Sequence, residues 1–324
     1  MPRFANFVPQ GVIPAVLLPF KEDYSIDADA FRSHVLDVAG VDGVTALTLN
    51  AHSTEVSSCS FDEQRRVLEL SLDAVGDRLP IVNGIYADGS FEAQRIARMA
   101  AAAGASGLLV FPPNVFRGGQ RPEMAVEHFR RVAEVTDLPL VLFQYPLASG
   151  QGYPLATLLK IVEAVPSVRA IKDGCASPEQ HERHIRTLQE LPRPVNVLST
   201  HSAWLFSSLV LGCNGLLSGS GSVIADLQAR LYRAIQADDL VSAREINTRI
   251  RATSTVFYAD PRTDMHNRMK EALLLLGKLR CAVVRPPLVK LSGDEIQRIK
   301  QALIAAGLLA EDGRAGRPRA TLAA

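Results

Sequence analysis

Lys172 is the residue whose position most clearly suggests chemistry. It closes the apolar run from Val168 to Ile171 and is followed by Asp173 and Gly174. Burial in an apolar setting disfavours the charged form of an amine and lowers its pKa. A neutral amine attacks carbonyl carbon, which is the first step of Schiff-base catalysis. A lysine at a strand end can also extend to solvent, so this position alone does not decide between the two roles.

The elements that must position Lys172 follow a repeating pattern of short apolar runs and longer amphipathic segments. The apolar runs predict eight strands: Val12–Leu18, Val44–Leu49, Pro80–Ile85, Gly107–Phe111, Pro139–Tyr145, Val168–Lys172, Val195–Ser199 and Gly215–Ser218. The segments after them place apolar residues at i, i+3 and i+4 and predict eight helices: Ala28–Ala39, Phe61–Val75, Ser90–Ala103, Glu123–Val135, Leu155–Val165, Pro178–Leu191, Ala203–Leu211 and Ile224–Gln236. Eight alternations predict an α/β fold, a (β/α)8 TIM barrel. An open doubly wound sheet also alternates, and the count of eight decides against it.

The strand pattern stops after Gln236. Three further helices are predicted, over Asp238–Ile250, His266–Leu276 and Ser292–Ala306. The sequence therefore predicts a barrel over residues 1–236 and a C-terminal helical segment over 237–310. The small, charged stretch 311–324 is predicted to be a disordered tail.

Composition excludes several classes of function. The chain has 324 residues with 47% hydrophobic and 21% charged residues, and its formal net charge of +1 gives no basic footprint for nucleic acid. No apolar run reaches the roughly 18 residues that span a bilayer, and no signal peptide is visible, so we expect a cytoplasmic protein without a membrane partner. The four cysteines form no CxxC pair, and we expect no metal. His181 and His184 are predicted to lie on a solvated helix face.

Chemistry in such a barrel is placed at the C-terminal ends of the strands. Along the chain, motifs occur in a particular order: VIPAVLLPF in strand one, a hydroxyl-rich loop ending in Glu55, FDEQR from Phe61, Tyr145-Pro146 at the end of strand five, Ile171-Lys172-Asp173 at the end of strand six, and VRPPL from Val284. Together they resemble the dihydrodipicolinate synthase / N-acetylneuraminate lyase superfamily of Schiff-base aldolases, from Gly11 to about Leu308.

The resemblance implies a homo-oligomer, dimer or tetramer, that binds pyruvate or another 2-oxo acid as an imine on Lys172 and uses no cofactor. By position, Ser53 and the amides of Ser53 and Thr54 correspond to the family's cradle for the 2-oxo acid carboxylate. Glu55 is expected to hydrogen-bond its own loop. The predicted substrate-binding set also contains Phe143, Ala148, His201 and Leu217. His201 has an alternative role at the start of the helix from Ala203.

The sequence departs from the family pattern at the residues that transfer protons. Phe143 stands at the position of the family's strand-five tyrosine, and a phenyl ring cannot transfer a proton. Tyr145 lies on the same strand face, one pleat nearer the barrel mouth. His52 stands at a family hydroxyl position and titrates near neutral pH. One of Tyr145 and His52 is therefore predicted to be the catalytic acid–base, with Tyr145 favoured because its phenol most closely replaces the missing one, and packing roles are the alternatives. Asn114 stands where some members carry a tyrosine donated across a subunit interface.

The second substrate is also in question, because Ala148 stands where dihydrodipicolinate synthases carry an arginine for the aldehyde's carboxylate. This predicts that the chain is not an efficient 4-hydroxy-tetrahydrodipicolinate synthase, although a family-based name would suggest that activity. The loop 218–222, SGSGS, opens a helix after strand eight, where many barrels bind phosphate. A phosphosugar aldolase or epimerase is therefore an alternative enzyme. A non-catalytic binder of 2-oxo acids is the alternative outside enzymes.

Overall fold

The computed structural model describes residues 4 and 6–311. Within them, eight parallel strands form one sheet in the order β1-β8-β7-β6-β5-β4-β3-β2. Short bridges from Val12 to Val44 and from Ala15 to Thr48 join the first strand to the second. The strands are β1 (Gly11–Pro14), β2 (Leu47–Leu49), β3 (Ile81–Ile85), β4 (Gly107–Val110), β5 (Leu140–Gln144), β6 (Val168–Asp173), β7 (Asn196–Ser199) and β8 (Gly215–Ser218). The predicted (β/α)8 barrel is confirmed.

A helix follows each strand, and three more helices complete the described chain. The barrel helices are α1 (Ala28–Ala39), α2 (Phe61–Val75), α3 (Ser90–Ala103), α4 (Pro122–Ala133), α5 (Leu155–Ala164), α6 (Pro178–Leu188), α7 (Leu205–Val210) and α8 (Gly221–Gln236). The C-terminal helices are α9 (Leu240–Phe257), α10 (Met265–Leu275) and α11 (Gly293–Ala305). The predicted caps form, since the Asp27 and Ser177 side chains accept the amides of Ala30 and Gln180. None of the described helices is long and apolar enough to cross a membrane.

Several boundaries differ from those predicted. The first strand ends at Pro14, opposite Ser218 of its partner, although the buried run continues to Leu18. Apolarity reports burial, whereas a strand also needs a continuous ladder of hydrogen bonds. The ninth helix runs on to Phe257, well beyond the predicted end at Ile250. The predicted disordered tail lies outside the described residues, except for its first residue.

Short 3₁₀ helices that the sequence did not predict follow several strands at the C-terminal end of the barrel. They span His52–Thr54, Val56–Ser58, Asn114–Gly118 and Leu147–Ser149, and a further one, Arg262–Asp264, precedes α10. Single turns of this length show no hydrophobic periodicity, which is why they escape a sequence pattern. They shape the loops around the barrel mouth.

The C-terminal segment is fastened to the barrel through Glu55. The buried ammonium of Lys270 pairs with Glu55 Oε1, and the Arg285 amide donates to Glu55 Oε2 at 2.9 Å. Arg285 also donates through its guanidinium to the Ser58 carbonyl at 2.7 Å and to Glu63 Oε2 at 2.9 Å. Glu55 therefore has a structural role, as expected, but its carboxylate links the loop after β2 to α10 and to the residues before α11 and, in the described part of the chain, does not hydrogen-bond its own loop.

Candidate active site

A cavity of about 510 Å³ opens at the C-terminal ends of the strands. Its walls come from the loops after β2, β5, β6, β7 and β8 and from the C-terminal segment. This is the end of a (β/α)8 barrel at which substrates bind. The lining residues on the barrel side include Ala51, His52, Ser53, Phe143, Tyr145, Lys172, Thr200, His201, Ser202 and Trp204.

Lys172 lies in this cavity and is almost completely buried, with 6% of its surface exposed. Its ammonium group is 4.1 Å from the centroid of the Phe143 ring, and these two residues are register partners across β5 and β6. No carboxylate pairs with Lys172 among the described residues. Burial lowers the pKa of Lys172 to about 7. A substantial fraction of the amine is therefore neutral, and nucleophilic, near neutral pH.

His52 and Tyr145 form a pair beside this lysine. The Nε2 atom of His52 lies 2.6 Å from the hydroxyl oxygen of Tyr145. Burial, and secondarily the charge of Lys172, lowers the pKa of His52 to about 4. Burial is also the main cause of the raised pKa of Tyr145. At neutral pH the pair is therefore a neutral imidazole and a protonated phenol, joined by a bond along which a proton can move.

Phe143 belongs to an aromatic layer at the top of the barrel interior. Its ring centroid is 5.1 Å from that of Phe111 and 4.6 Å from that of Tyr145, both edge-on. His52 joins the layer through Phe111, with ring centroids 4.9 Å apart. The layer keeps water away from Lys172 on one side, which is the physical cause of its lowered pKa.

The hydroxyl groups of Ser53 and Thr54, in the loop after β2, have different roles. The hydroxyl of Ser53 is buried, lines the cavity and has no hydrogen-bond partner in the described part of the chain. Thr54 is turned away, because its hydroxyl accepts the Ala51 amide and donates to the Ala51 carbonyl, both at 2.9 Å. The Thr54 amide also donates to that carbonyl, at 3.1 Å. Ser53 is thus placed to bind a ligand, whereas Thr54 fixes the loop.

Two other predicted binding residues do not reach the cavity. Ala148 lies on the exposed 3₁₀ helix after β5 and does not line the cavity wall. Leu217 is buried in the barrel interior, where it pairs with Ile13 below the cavity. His201 does line the cavity, and its ring stacks on Trp204 with centroids 3.9 Å apart.

The prediction that His181 and His184 face solvent is wrong. Both side chains are fully buried, and their Nδ1 atoms lie 2.8 and 2.7 Å from Oδ2 of Asp173. The charged residues between and around them, such as Arg183 and Arg186, occupy the opposite, exposed face of α6. The prediction failed because Asp173 supplies a buried partner that the HERH pattern cannot reveal.

The cluster behind Lys172 also has the composition of a metal site. Ligand atoms of Asp173, Cys175, His181 and His201 lie within 4.8 Å of one another. However, Asp173 already accepts bonds from two imidazoles and from the Cys175 amide, and His181 Nε2 lies 2.6 Å from Ser208 Oγ. We therefore interpret the cluster as a hydrogen-bond network, and the absence of a metal stays a prediction.

The network should make stability depend on pH. Burial alone would lower the pKa of His181, but hydrogen bonds to Asp173 and Cys213, together with the charge of Asp173, outweigh it and raise the pKa to about 9. A raised folded-state pKa stabilises the fold fully below the ordinary value of 6.5, and this contribution is lost as pH rises through about 9. We expect the free energy of unfolding, measured by urea titration, to fall over that window in the wild type and to fall less in His181→Gln.

Asp173→Asn should lower the free energy of unfolding by roughly 3–5 kcal/mol, because it leaves two buried imidazoles without their carboxylate. Asp62→Asn, on an exposed side chain of α2, is the matched control and should change it by less than about 0.5 kcal/mol. Equal effects of the two substitutions would contradict this interpretation of the network.

The sequence did not identify the residues that the C-terminal segment contributes to the cavity. These are Tyr258, Arg262, Met265 and His266. His266 is buried and approaches Gly219 after β8, where an added Cβ would lie 2.9 Å from its Nε2. These side chains belong to no recognisable sequence motif. They reach the cavity because α9 and α10 fold back over the barrel mouth.

The fold and the site define a (β/α)8-barrel enzyme with a buried lysine at the end of its sixth strand. Residues 8–306 match the model of the dihydrodipicolinate synthetase family. The chain belongs to this family and is a lyase of it.

The sequence similarity to known relatives covers nearly the whole chain. A 4-hydroxy-tetrahydrodipicolinate synthase of Kineococcus radiotolerans is 32% identical, covering 92% of this chain and 93% of that protein. One from Gluconacetobacter diazotrophicus is 29% identical, covering 93% and 98%. The crystal structure of Escherichia coli YagE, a prophage protein of the same family in complex with pyruvate, has a TM-score of 0.84 at 24% identity, covering 92% and 98%.

Proposed function

We propose that the protein is a Schiff-base lyase, an aldolase or dehydratase, that binds pyruvate or another 2-oxo acid through Lys172. The observation that carries the proposal is a buried lysine, without an acidic partner among the described residues, whose pKa is lowered to about 7 inside the cavity. Such an amine is reactive towards carbonyl groups at neutral pH. Family membership supports the same chemistry.

The reaction begins when Lys172 Nζ attacks the keto carbon of the 2-oxo acid. The amine proton passes to the carbonyl oxygen, which gives a carbinolamine. A second proton delivered to its hydroxyl group lets it leave as water, and a cationic imine remains. The imine withdraws electrons from the neighbouring carbon, so that a C–H or C–C bond there can break to give an enamine. The buried, unpartnered hydroxyl of Ser53 would hold the carboxylate of the substrate.

Each of these steps moves a proton, and the pair of Tyr145 and His52 would carry it. Tyr145 is protonated at neutral pH and can donate to the departing hydroxyl. His52, kept neutral by burial, can take up and return the proton through the 2.6 Å contact. Two residues in series thus replace the single phenol that the family has at the position of Phe143.

Pyruvate is the first 2-oxo acid to test, because YagE was crystallised in complex with it. Sodium borohydride reduces the imine to a stable amine, and mass spectrometry of the intact protein then detects the adduct. We expect one adduct per chain with pyruvate. No adduct with any of a panel of 2-oxo acids would contradict the proposal, and an adduct without turnover would favour a non-catalytic binder.

The phosphosugar alternative depends on the loop 218–222, whose hydroxyls bind one another. Ser218 and Ser220 Oγ are 2.9 Å apart, and Gln228 Nε2 donates to them at 3.2 and 3.0 Å. Ser222 donates to the Ala15 carbonyl at 2.8 Å. A phosphate would have to displace these bonds, so we favour the interpretation of this loop as a turn that closes the barrel.

Weak 4-hydroxy-tetrahydrodipicolinate synthase activity is a further prediction, despite the names of the relatives. Ala148 leaves the position after β5, where dihydrodipicolinate synthases carry their arginine, without a guanidinium for the carboxylate of the second substrate, and a bidentate arginine pair is among the strongest contacts a site can make. In an assay with pyruvate and aspartate semialdehyde, we expect turnover at least about 100-fold below an ordinary rate on the order of 10 s⁻¹. The Gluconacetobacter diazotrophicus protein is the positive control. An ordinary rate for this chain would contradict the prediction.

The assembly implied by the resemblance, a homodimer or homotetramer, is part of the same proposal. Light scattering of the purified protein tests it directly. The mass of a single chain across the working range of concentration would contradict it.

A further inference from the structure

We infer that Arg262 binds a second carboxylate, so that the preferred substrate is a 2-oxo acid with an acidic group at the end remote from its keto carbon. This inference rests on the proposed function, because the cavity must first hold a 2-oxo acid on Lys172. It names the class of substrate that the cavity selects.

Arg262 lies in the cavity, apart from the proposed carboxylate site at Ser53. It lies on the short 3₁₀ helix Arg262–Asp264, on the wall that the C-terminal segment adds to the cavity. His201, after β7, is close enough for the charge of Arg262 to contribute to its lowered pKa, although burial is the main cause. The proposed carboxylate site at Ser53 follows β2, three strands away from β7 around the barrel. The cavity therefore has two separate places for anionic groups.

The charged side chains that line the cavity favour an anionic ligand. The basic side chains of Lys172 and Arg262 line the cavity, whereas burial keeps the imidazoles of His52, His201 and His266 neutral, and no aspartate or glutamate is found among the described lining residues. A cleft with charges of one sign attracts ligands of the other sign, and low-dielectric walls strengthen the attraction. A single carboxylate at Ser53 would leave Arg262 without an anionic partner.

The guanidinium of Arg262 is also available. It forms no hydrogen bond or ion pair with another residue in the described part of the chain, unlike the guanidinium of Arg268 or Arg285. Its planar fork of donors matches the two oxygens of a carboxylate. An exposed arginine at a cavity rim, with no acidic neighbour holding it elsewhere, can reorient towards a bound ligand.

The surface around Arg262 fits a carbon chain better than a sugar. The Trp204 ring, stacked on His201, and the Met265 side chain give this part of the cavity an apolar character. Tyr258 is fixed there, since its hydroxyl accepts the Ser220 amide at 3.2 Å. A phosphate would require further donors, and the serine hydroxyls nearby are occupied by the bonds of the loop 218–222. A carboxylate is therefore the anion that this site would select.

The test compares two 2-oxo acids that differ in their distal group. The concentration that gives half-maximal borohydride trapping is measured for pyruvate and for 2-oxoglutarate, in the wild type, Arg262→Gln and the control Arg66→Gln. Arg66 is an exposed arginine of α2 outside the cavity. We expect Arg262→Gln to raise the value for 2-oxoglutarate by about 10- to 100-fold and that for pyruvate by less than about threefold. The control should change neither.

The other outcomes are decisive. Equal effects on both acids, no effect on either, or the same effect from Arg66→Gln would overturn the inference. A phosphorylated 2-oxo acid that depends on Arg262 more strongly than 2-oxoglutarate does would overturn the assignment of a carboxylate.

Calorimetry with Lys172→Met measures binding without imine formation. In that background, Arg262→Gln should still weaken 2-oxoglutarate binding at least about tenfold. Unchanged binding would also overturn the inference. Failure of the proposed function gives a distinct result, namely no trapping of pyruvate by the wild type.

Discussion

Tyr145→Phe is expected to lower kcat by at least about 100-fold and to leave imine trapping on Lys172 detectable. The phenol is the proton donor nearest to the position of the missing family tyrosine, and a positioned acid–base typically contributes about 10²–10⁴-fold. The substitution removes the hydroxyl, keeps the ring against Phe143, and therefore preserves the aromatic layer. Steady-state turnover and the rate of borohydride trapping are measured side by side.

His52→Gln provides the companion measurement. Because His52 Nε2 and the Tyr145 hydroxyl are 2.6 Å apart, the two residues should act as one unit. The double variant should then be little worse than either single variant, since residues that act together are not additive. Tyr232→Phe, on α8 outside the cavity, is the matched control. Turnover that changes only a few-fold in both Tyr145→Phe and His52→Gln would place the proton shuttle elsewhere, with His201 as the next candidate.

Lys172→Met is expected to abolish imine formation and to lower turnover by about 10³-fold or more, because the covalent intermediate cannot form. Methionine preserves most of the apolar stem that packs by Phe143. Lys160→Met, on an exposed side chain of α5, is the control and should retain activity. Turnover close to that of the wild type in Lys172→Met would remove the basis of the proposed mechanism.

The same lysine predicts the pH dependence of the wild type. The pKa of Lys172 is lowered from 10.5 to about 7 by burial, so the neutral amine predominates above pH 7. Below that pH, the rate of imine formation should fall about tenfold for each further unit, as the fraction of neutral amine falls. A rate that stays low up to the ordinary lysine range would show that Lys172 is not desolvated in solution.

The sequence predicted the fold well because the relevant signal is repeated. Eight buried strands and eight amphipathic helices each carry their own periodicity, and errors at single ends, such as β1, leave the count unchanged. The placement of Lys172, His52 and Tyr145 around one cavity follows from the same topology, since parallel strands deliver their C-terminal residues to one end of the barrel.

The sequence could not show how these residues pair. From the sequence, His52 and Tyr145 are alternative candidates for the acid–base, whereas the structure joins them across 93 positions of the chain. The burial of His181 depends on a single carboxylate, Asp173, on a neighbouring element. Arg262 enters the cavity because helices after the barrel fold back over its mouth. Contacts of these kinds depend on tertiary packing and leave no periodic pattern in the sequence.

The most direct test of the central claim is to map the lysine that carries the reduced pyruvate adduct. Two lysines are buried among the described residues, Lys172 and Lys270, but only Lys172 is free of an acidic partner, because Lys270 is paired with Glu55. After borohydride reduction and proteolysis, peptide mass spectrometry should place the adduct on Lys172, and Lys172→Met should give none. An adduct on Lys270 or another lysine, or trapping that persists in Lys172→Met, would contradict the account.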